Sequence, residues 1–128
     1  MQQEHPFQVG KTMGEQMQAC IQSCTECHGV CIETIQHCLK MGGKHAEPAN
    51  ICLLTDCAEI CQTSANFMLR GSDFHGMTCW TCAEVCNRCS EDCRRFEDDP
   101  VMQRCADACR SCAQSCSQMT ENFNRSHF

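Results

Sequence analysis

The sequence has no tyrosine, one tryptophan and three prolines. It is also short of aliphatic bulk: Leu (4), Ile (5), Val (4) and Phe (6) supply only 19 of 128 residues. That fraction lies below the roughly 20% at which a chain is usually suspected of being unable to build a core. The lack of tyrosine and of any alternating apolar run argues against strands. Lys and Arg number only 10, the net charge is −6, and no basic cluster occurs. The electrostatic footprint of a nucleic-acid or anionic-membrane binder is therefore missing. No apolar run approaches the ~20 residues of a membrane span. The opening stretch MQQEHPFQVGKTMGEQMQAC lacks the basic start and apolar run of a secretory signal, and it has no twin arginine. Residence in the cytoplasm is the expectation.

What the chain has instead is cysteine, 17 of them. The stretch TCWTCAEVCNRCSEDC, residues 78–93, places Cys79, Cys82, Cys86, Cys89 and Cys93 at alternating gaps of three and four. That rhythm is the apolar seam of a bundled helix, where leucine is normally found. A buried free thiol behaves as a small hydrophobe, so cysteine can fill a core, though less well than leucine. A disulfide framework is disfavoured by the odd count and by the reducing conditions of a cytosol.

Gly42–Gly43, Gly71 and the run Glu97–Pro100 divide the chain into four segments of similar length. The glycines suit helix C-terminal positions. Pro48 and Pro100 suit first helical turns, and Ser72 or Asp73 and then Asp99 suit N-caps. The pattern predicts helices at about 10–41, 48–70, 73–96 and 100–123. Short connections make consecutive helices antiparallel neighbours. The expected fold is all-α, an up-down-up-down four-helix bundle with a cysteine-lined core, filling residues 1–128 as one domain.

The seam runs without a slip through three segments. Helix 1 reads Met13, Met17, Cys20, Cys24, Cys27, Cys31, Thr34, Cys38, Met41. Helix 3 reads His75, Cys79, Cys82, Cys86, Cys89, Cys93, Phe96. Helix 4 reads Met102, Cys105, Cys109, Cys112, Cys116, Met119, Phe123. Helix 2 offers Leu54, Cys57, Cys61, Ser64 and Met68, with Cys52 off the stripe. Sixteen of 17 thiols thus point at one axis.

Neighbours at i+3 and i+4 have Cβ atoms about 5–6 Å apart. A metal bridging two thiolates wants the sulfurs about 4.5 Å apart, taking the zinc–sulfur bond as a guide. Small rotamer changes close that gap. Soft thiolates select copper(I), zinc and iron–sulfur centres. One copper(I) per thiolate is neutral, whereas zinc held by four thiolates leaves two negative charges in a core almost without Lys or Arg. Copper(I) is favoured, at roughly one ion per cysteine, on the order of 15–20.

Smaller motifs compete with this reading. CTECH, Cys24 to His28, matches a haem-attachment pattern, and CWTC, Cys79 to Cys82, a thioredoxin redox site. The first match is mostly accidental in a chain with four C-x-x-C units, and the second lacks the strand-to-helix junction on which thioredoxins place it. The ferredoxin run is absent. An iron–sulfur or redox-active electron-transfer protein, and a zinc or cadmium thiolate buffer, remain the alternative classes. No catalytic constellation is evident, so the chain is expected not to be an enzyme and to hold no organic cofactor.

Four helices lined by C-x-x-C and C-x-x-x-C repeats, from about Met13 to Phe123, resemble the cytosolic bacterial copper storage proteins. The resemblance implies storage of multiple copper(I) ions inside each bundle and assembly into homotetramers. A copper chaperone is a candidate donor or acceptor.

The up-down order gathers His37, Cys38, Met41, His45, Cys52, Cys93, Met102 and Cys105 at one end. Cys38, Cys52, Cys93 and Cys105 are expected as its outermost thiol layer. The other end gathers Met13, Met17, Phe67, Met68, Phe74, Met77, Trp80, Met119 and Phe123, an expected plug. In the family resembled, metal passes through an end of the first kind. The candidate ligands are all 17 cysteines together with His37, Met41, His45 and Met102. His28 and His75 are expected to be structural. Ile21, Ile32, Ile35, Leu39, Ile51, Leu53 and Ile60 lie beside the seam, as inter-helix filler or as a subunit interface.

Overall fold

The computed structural model describes residues 13–120. Helix α1 spans Met13–Met41, α2 Pro48–Leu69, α3 His75–Arg94 and α4 Pro100–Met119, with a 3-10 turn at Gly43–Ala46 before α2. The expected start of the first helix at residue 10 and end of the fourth at residue 123, with Phe123, lie outside the described residues. No strand occurs among the described residues.

Each helix packs on two neighbours: α1 on α2 and α4, and α3 on α2 and α4. Among the described residues the diagonal helices do not pack backbone against backbone. They meet only by side chains that fill the lumen of a square bundle, as Cys57 and Cys109 do at 3.7 Å. Contact registers run in opposite senses. Cys20 meets Cys116 while Cys31 meets Cys105, which makes α1 and α4 antiparallel. Cys57 meets Cys86 while Met68 meets Cys79, and so α2 and α3 are antiparallel too.

The caps follow the local chemistry. Gly71 has φ 67°, which a side chain would resist. It ends α2 with paired bonds, Gly71 N–H to Met68 O at 3.0 Å and Ser72 N–H to Phe67 O at 2.9 Å. Gly42 and Gly43, at φ 71° and 56°, turn the chain out of α1. Pro48 and Pro100 open α2 and α4, and Asp99 caps α4 by accepting from Val101 N at 2.9 Å and Met102 N at 3.4 Å. The start of α3 differs from the sequence reading. Its N-cap is Phe74, not Ser72 or Asp73, because Ser72 spends its hydroxyl on the Phe74 N–H in the preceding turn.

Sixteen cysteines are buried and one, Cys52, is exposed. The expected outermost layer therefore loses Cys52. At 100° per residue Cys52 lies about 200° from both Asn50 and Leu54, and these two are the residues that α2 buries there. The core is completed by Leu54, Met68, Met102, Met119 and small alanines. Ile21 joins it, Ile35, Ile51, Leu53 and Ile60 pack against it, and Ile32 and Leu39 are exposed.

Candidate metal centre

Twelve cysteines form one continuous ladder of Sγ···Sγ contacts between 3.6 and 4.0 Å: Cys20, Cys24, Cys27, Cys31, Cys57, Cys61, Cys82, Cys86, Cys105, Cys109, Cys112 and Cys116. The ladder exists because a three-four repeat on each helix stacks thiols one turn apart, and the antiparallel packing interleaves the four stacks. Quartets such as Cys27, Cys57, Cys61 and Cys86, or Cys31, Cys89, Cys105 and Cys109, have all sulfurs within 4.8 Å of one another. Sulfurs in metal-free contact are closer than the 4.5 Å of a linear bridge. They match a three-coordinate site, where bonds of about 2.3 Å put ligand sulfurs about 4.0 Å apart.

Contacts among the ladder thiols push some down, as Cys109 does Cys27, and others up, while burial acts to keep them protonated. Contacts with Cys112, Cys27, Cys57 and Cys82, and then burial, push Cys61 far up. Cys93 is raised by Cys105, by Cys89 and by burial. An ion taken up here must displace a proton from each thiol it binds. A site that ends neutral avoids leaving charge in this apolar interior.

At one end Cys38 donates to Met102 Sδ at 3.5 Å, and both residues are fully buried. Asn50 Nδ2 lies 3.5 Å from Cys38 Sγ and 2.7 Å from His45 O. Burial pushes the Cys38 thiol up, and the Asn50 amide works against that. Above this pair Asp99 Oδ2 meets His37 Nε2 at 2.7 Å and His45 Nε2 at 2.8 Å. Burial acts to raise the Asp99 carboxyl, but the two imidazoles and the Val101 and Met102 N–H groups outweigh it and hold it at about 2. Phe96 backs His45, with ring centroids 4.3 Å apart. His37, Met41, His45, Phe96, Glu97, Asp98, Asp99 and Pro100 line an open cleft of about 510 Å³. Met41 is 57% exposed, so it stands on the rim rather than in the core.

The opposite end is only partly the plug expected from sequence. Met68 and Met119 are buried, and Met17 and Phe67 are partly so. Phe74, Met77 and Trp80 are exposed, because they fall between the seam positions of α3 and its preceding turn. Nothing is described of the Met13 side chain. The two other histidines in the described residues have backbone partners: His28 Nδ1 meets Ala58 O at 2.7 Å and His75 Nδ1 meets Ser72 O at 2.9 Å.

Sequence reasoning missed two residues at the end that holds Cys38 and Met102. Asn50 lies four residues before Leu54, on the inward stripe, and extending that stripe by one turn would have found it. Asp99 was read only as a cap; its second oxygen joins the histidines because the cap position abuts the end of α1, which no local pattern reveals.

The family whose description is copper storage protein matches residues 13–121. The chain resembles the Nmul_A1745 protein of Nitrosospira multiformis, at 43% identity and a TM-score of 0.79, covering 84% of this chain and 97% of that one. It resembles the Cu(I)-bound copper storage protein BsCsp3 at 32% identity and TM-score 0.77, over 82% of this chain and 98% of that one. It also resembles the copper storage protein Ccsp of Streptomyces lividans loaded with 10 copper equivalents. That match has 28% identity and TM-score 0.74, over 91% of this chain and 92% of that one.

Proposed function

The chain belongs to the copper storage protein family, and from that premise we propose that it stores on the order of 15 copper(I) ions on the thiol ladder. The observation that carries this is the ladder itself: twelve thiols at 3.6–4.0 Å with quartets within 4.8 Å. Cys38, Cys79, Cys89 and Cys93 extend it towards its two ends. Copper is cargo here, not a reagent, and the chain carries out no turnover.

The cleft at His37, His45 and Asp99 serves as the mouth. Imidazole and thioether bind copper(I) more weakly than thiolate, so His37, Met41, His45 and Met102 pass ions to Cys38 and the ladder. Exposed Cys52 is left outside the store. Residence in the cytoplasm is supported by a Streptomyces lividans relative described as a cytosolic copper storage protein. Exposed Ile32 and Leu39 on α1 offer an apolar surface for a homotetramer. A copper chaperone would act as donor or acceptor at the mouth.

Anaerobic titration of copper(I) into the reduced protein, against a strong chelator, tests the reading. Saturation at or above about ten ions per chain without a visible absorption band is expected. Saturation at one to four ions, or a brown iron–sulfur chromophore, overturns it.

A further inference from the structure

The two ends of the ladder finish in the same pair of atoms. At the mouth the pair is Cys38 Sγ and Met102 Sδ at 3.5 Å. At the opposite end Cys79 Sγ donates to Met68 Sδ at 3.8 Å. Both members of the second pair are buried, Cys79 at 0% exposure and Met68 at 3%. The thiols of Cys116 and Cys20 neighbour Cys79 and stand 3.6 Å from each other.

We propose that Met68 and Cys79, with a sulfur of the Cys20–Cys116 pair, form a thioether–thiolate copper(I) site that terminates the store at the end remote from the mouth.

Three observations lead there. A core needing only bulk at position 68 would be served by leucine, and α2 does bury Leu54 further along the same face. Met68 instead turns its sulfur to a thiol. The 3.8 Å separation suits a three-coordinate ion, whose sulfurs stand about 4.0 Å apart for bonds of about 2.3 Å. A thioether carries no charge, so an ion gains a ligand there without adding a negative charge to a buried end. On binding, the Cys79 thiol gives up its proton and a copper–sulfur bond takes its place. The Cys20 or Cys116 sulfur is a thiolate already deprotonated by the neighbouring ion of the store and is shared between the two ions; no redox change occurs. The site rests on the storage reading and deepens it.

The test uses the full-length reduced protein labelled with carbon-13 at the methionine methyl groups, with copper(I) as the probe. The signal missing from Met68→Leu identifies Met68, and exposed Met77 is the internal control, identified in the same way from Met77→Leu. On saturation the Met68 signal should move and that of Met77 should not. Met68→Leu should saturate about one ion per chain below the wild type, with unchanged helicity in the metal-free state. A Met68 signal that stays put in the loaded wild type overturns the site, Met68→Ile giving the assignment if Met68→Leu does not fold. So does a folded Met68→Leu chain with full capacity beside a fully loaded wild type. A wild type that takes up only a few ions sinks the storage reading, and this site with it.

Discussion

His37 and Asp99 are 62 residues apart in sequence, yet His37 Nε2 stands 2.7 Å from Asp99 Oδ2. The same carboxyl caps α4 through its other oxygen. One side chain therefore fixes both the start of a helix and the imidazoles at the mouth.

The depressed carboxyl predicts an acid sensitivity. Asp99 is held at about 2 in the fold against an ordinary value of 3.8. A folded value below the unfolded one means the contribution is complete above about pH 4 and is lost as pH falls through about 2. Asp99→Asn keeps a capping oxygen but removes the charge. Urea unfolding of the metal-free protein should show the wild type more stable than the variant at pH 6, with the gap closing between pH 4 and pH 2. A gap independent of pH would show that the charge contributes nothing.

The mouth should govern rate more than capacity. Replacing His37 and His45 by alanine should slow loading from a copper(I) donor and release to a chelator, measured by stopped flow. The capacity should fall by only one or two ions in on the order of 15, since thiolates hold the rest. Met17→Leu with Met119→Leu, at the other end, should leave the rates alone. If only the second pair changes the rates, ions pass through the opposite end.

Cys52 should react alone. With 16 thiols buried and one exposed, a maleimide added to the reduced, metal-free protein should modify one site fast and the others slowly. Reactivity follows access as well as thiolate content. Cys52→Ser should remove the fast phase and leave the copper count unchanged. Loss of several ions in that variant would place Cys52 in the store.

The metal-free chain should already be helical, because the thiols pack in contact and the caps are local. Circular dichroism of the reduced form should show this; a coil spectrum that turns helical only with copper would mean that metal supplies the folding free energy. Leu54 is the largest fully buried side chain among the described residues. Leu54→Ala should cost about 2–4 kcal/mol in urea unfolding of the metal-free form, while the loaded form keeps its copper.

The sequence by itself determined the four helices and their inward thiols. Spacing of three and four fixes a face at 100° per residue, and Pro48, Gly71, Asp99 and Pro100 act on their own turns. Those are local effects, and local patterns report them. Sixteen buried cysteines, and Cys52 off the stripe, could be read for the same reason. Tertiary structure alone decided which sulfurs meet across the lumen, because the offset of one helix along another depends on packing and not on either repeat. It also decided that Asn50 reaches Cys38, that Asp99 joins His37 and His45, and that Met68 turns to Cys79. Each of those pairs comes from different helices or turns, and only the docking of one element on another brings such atoms within bonding reach.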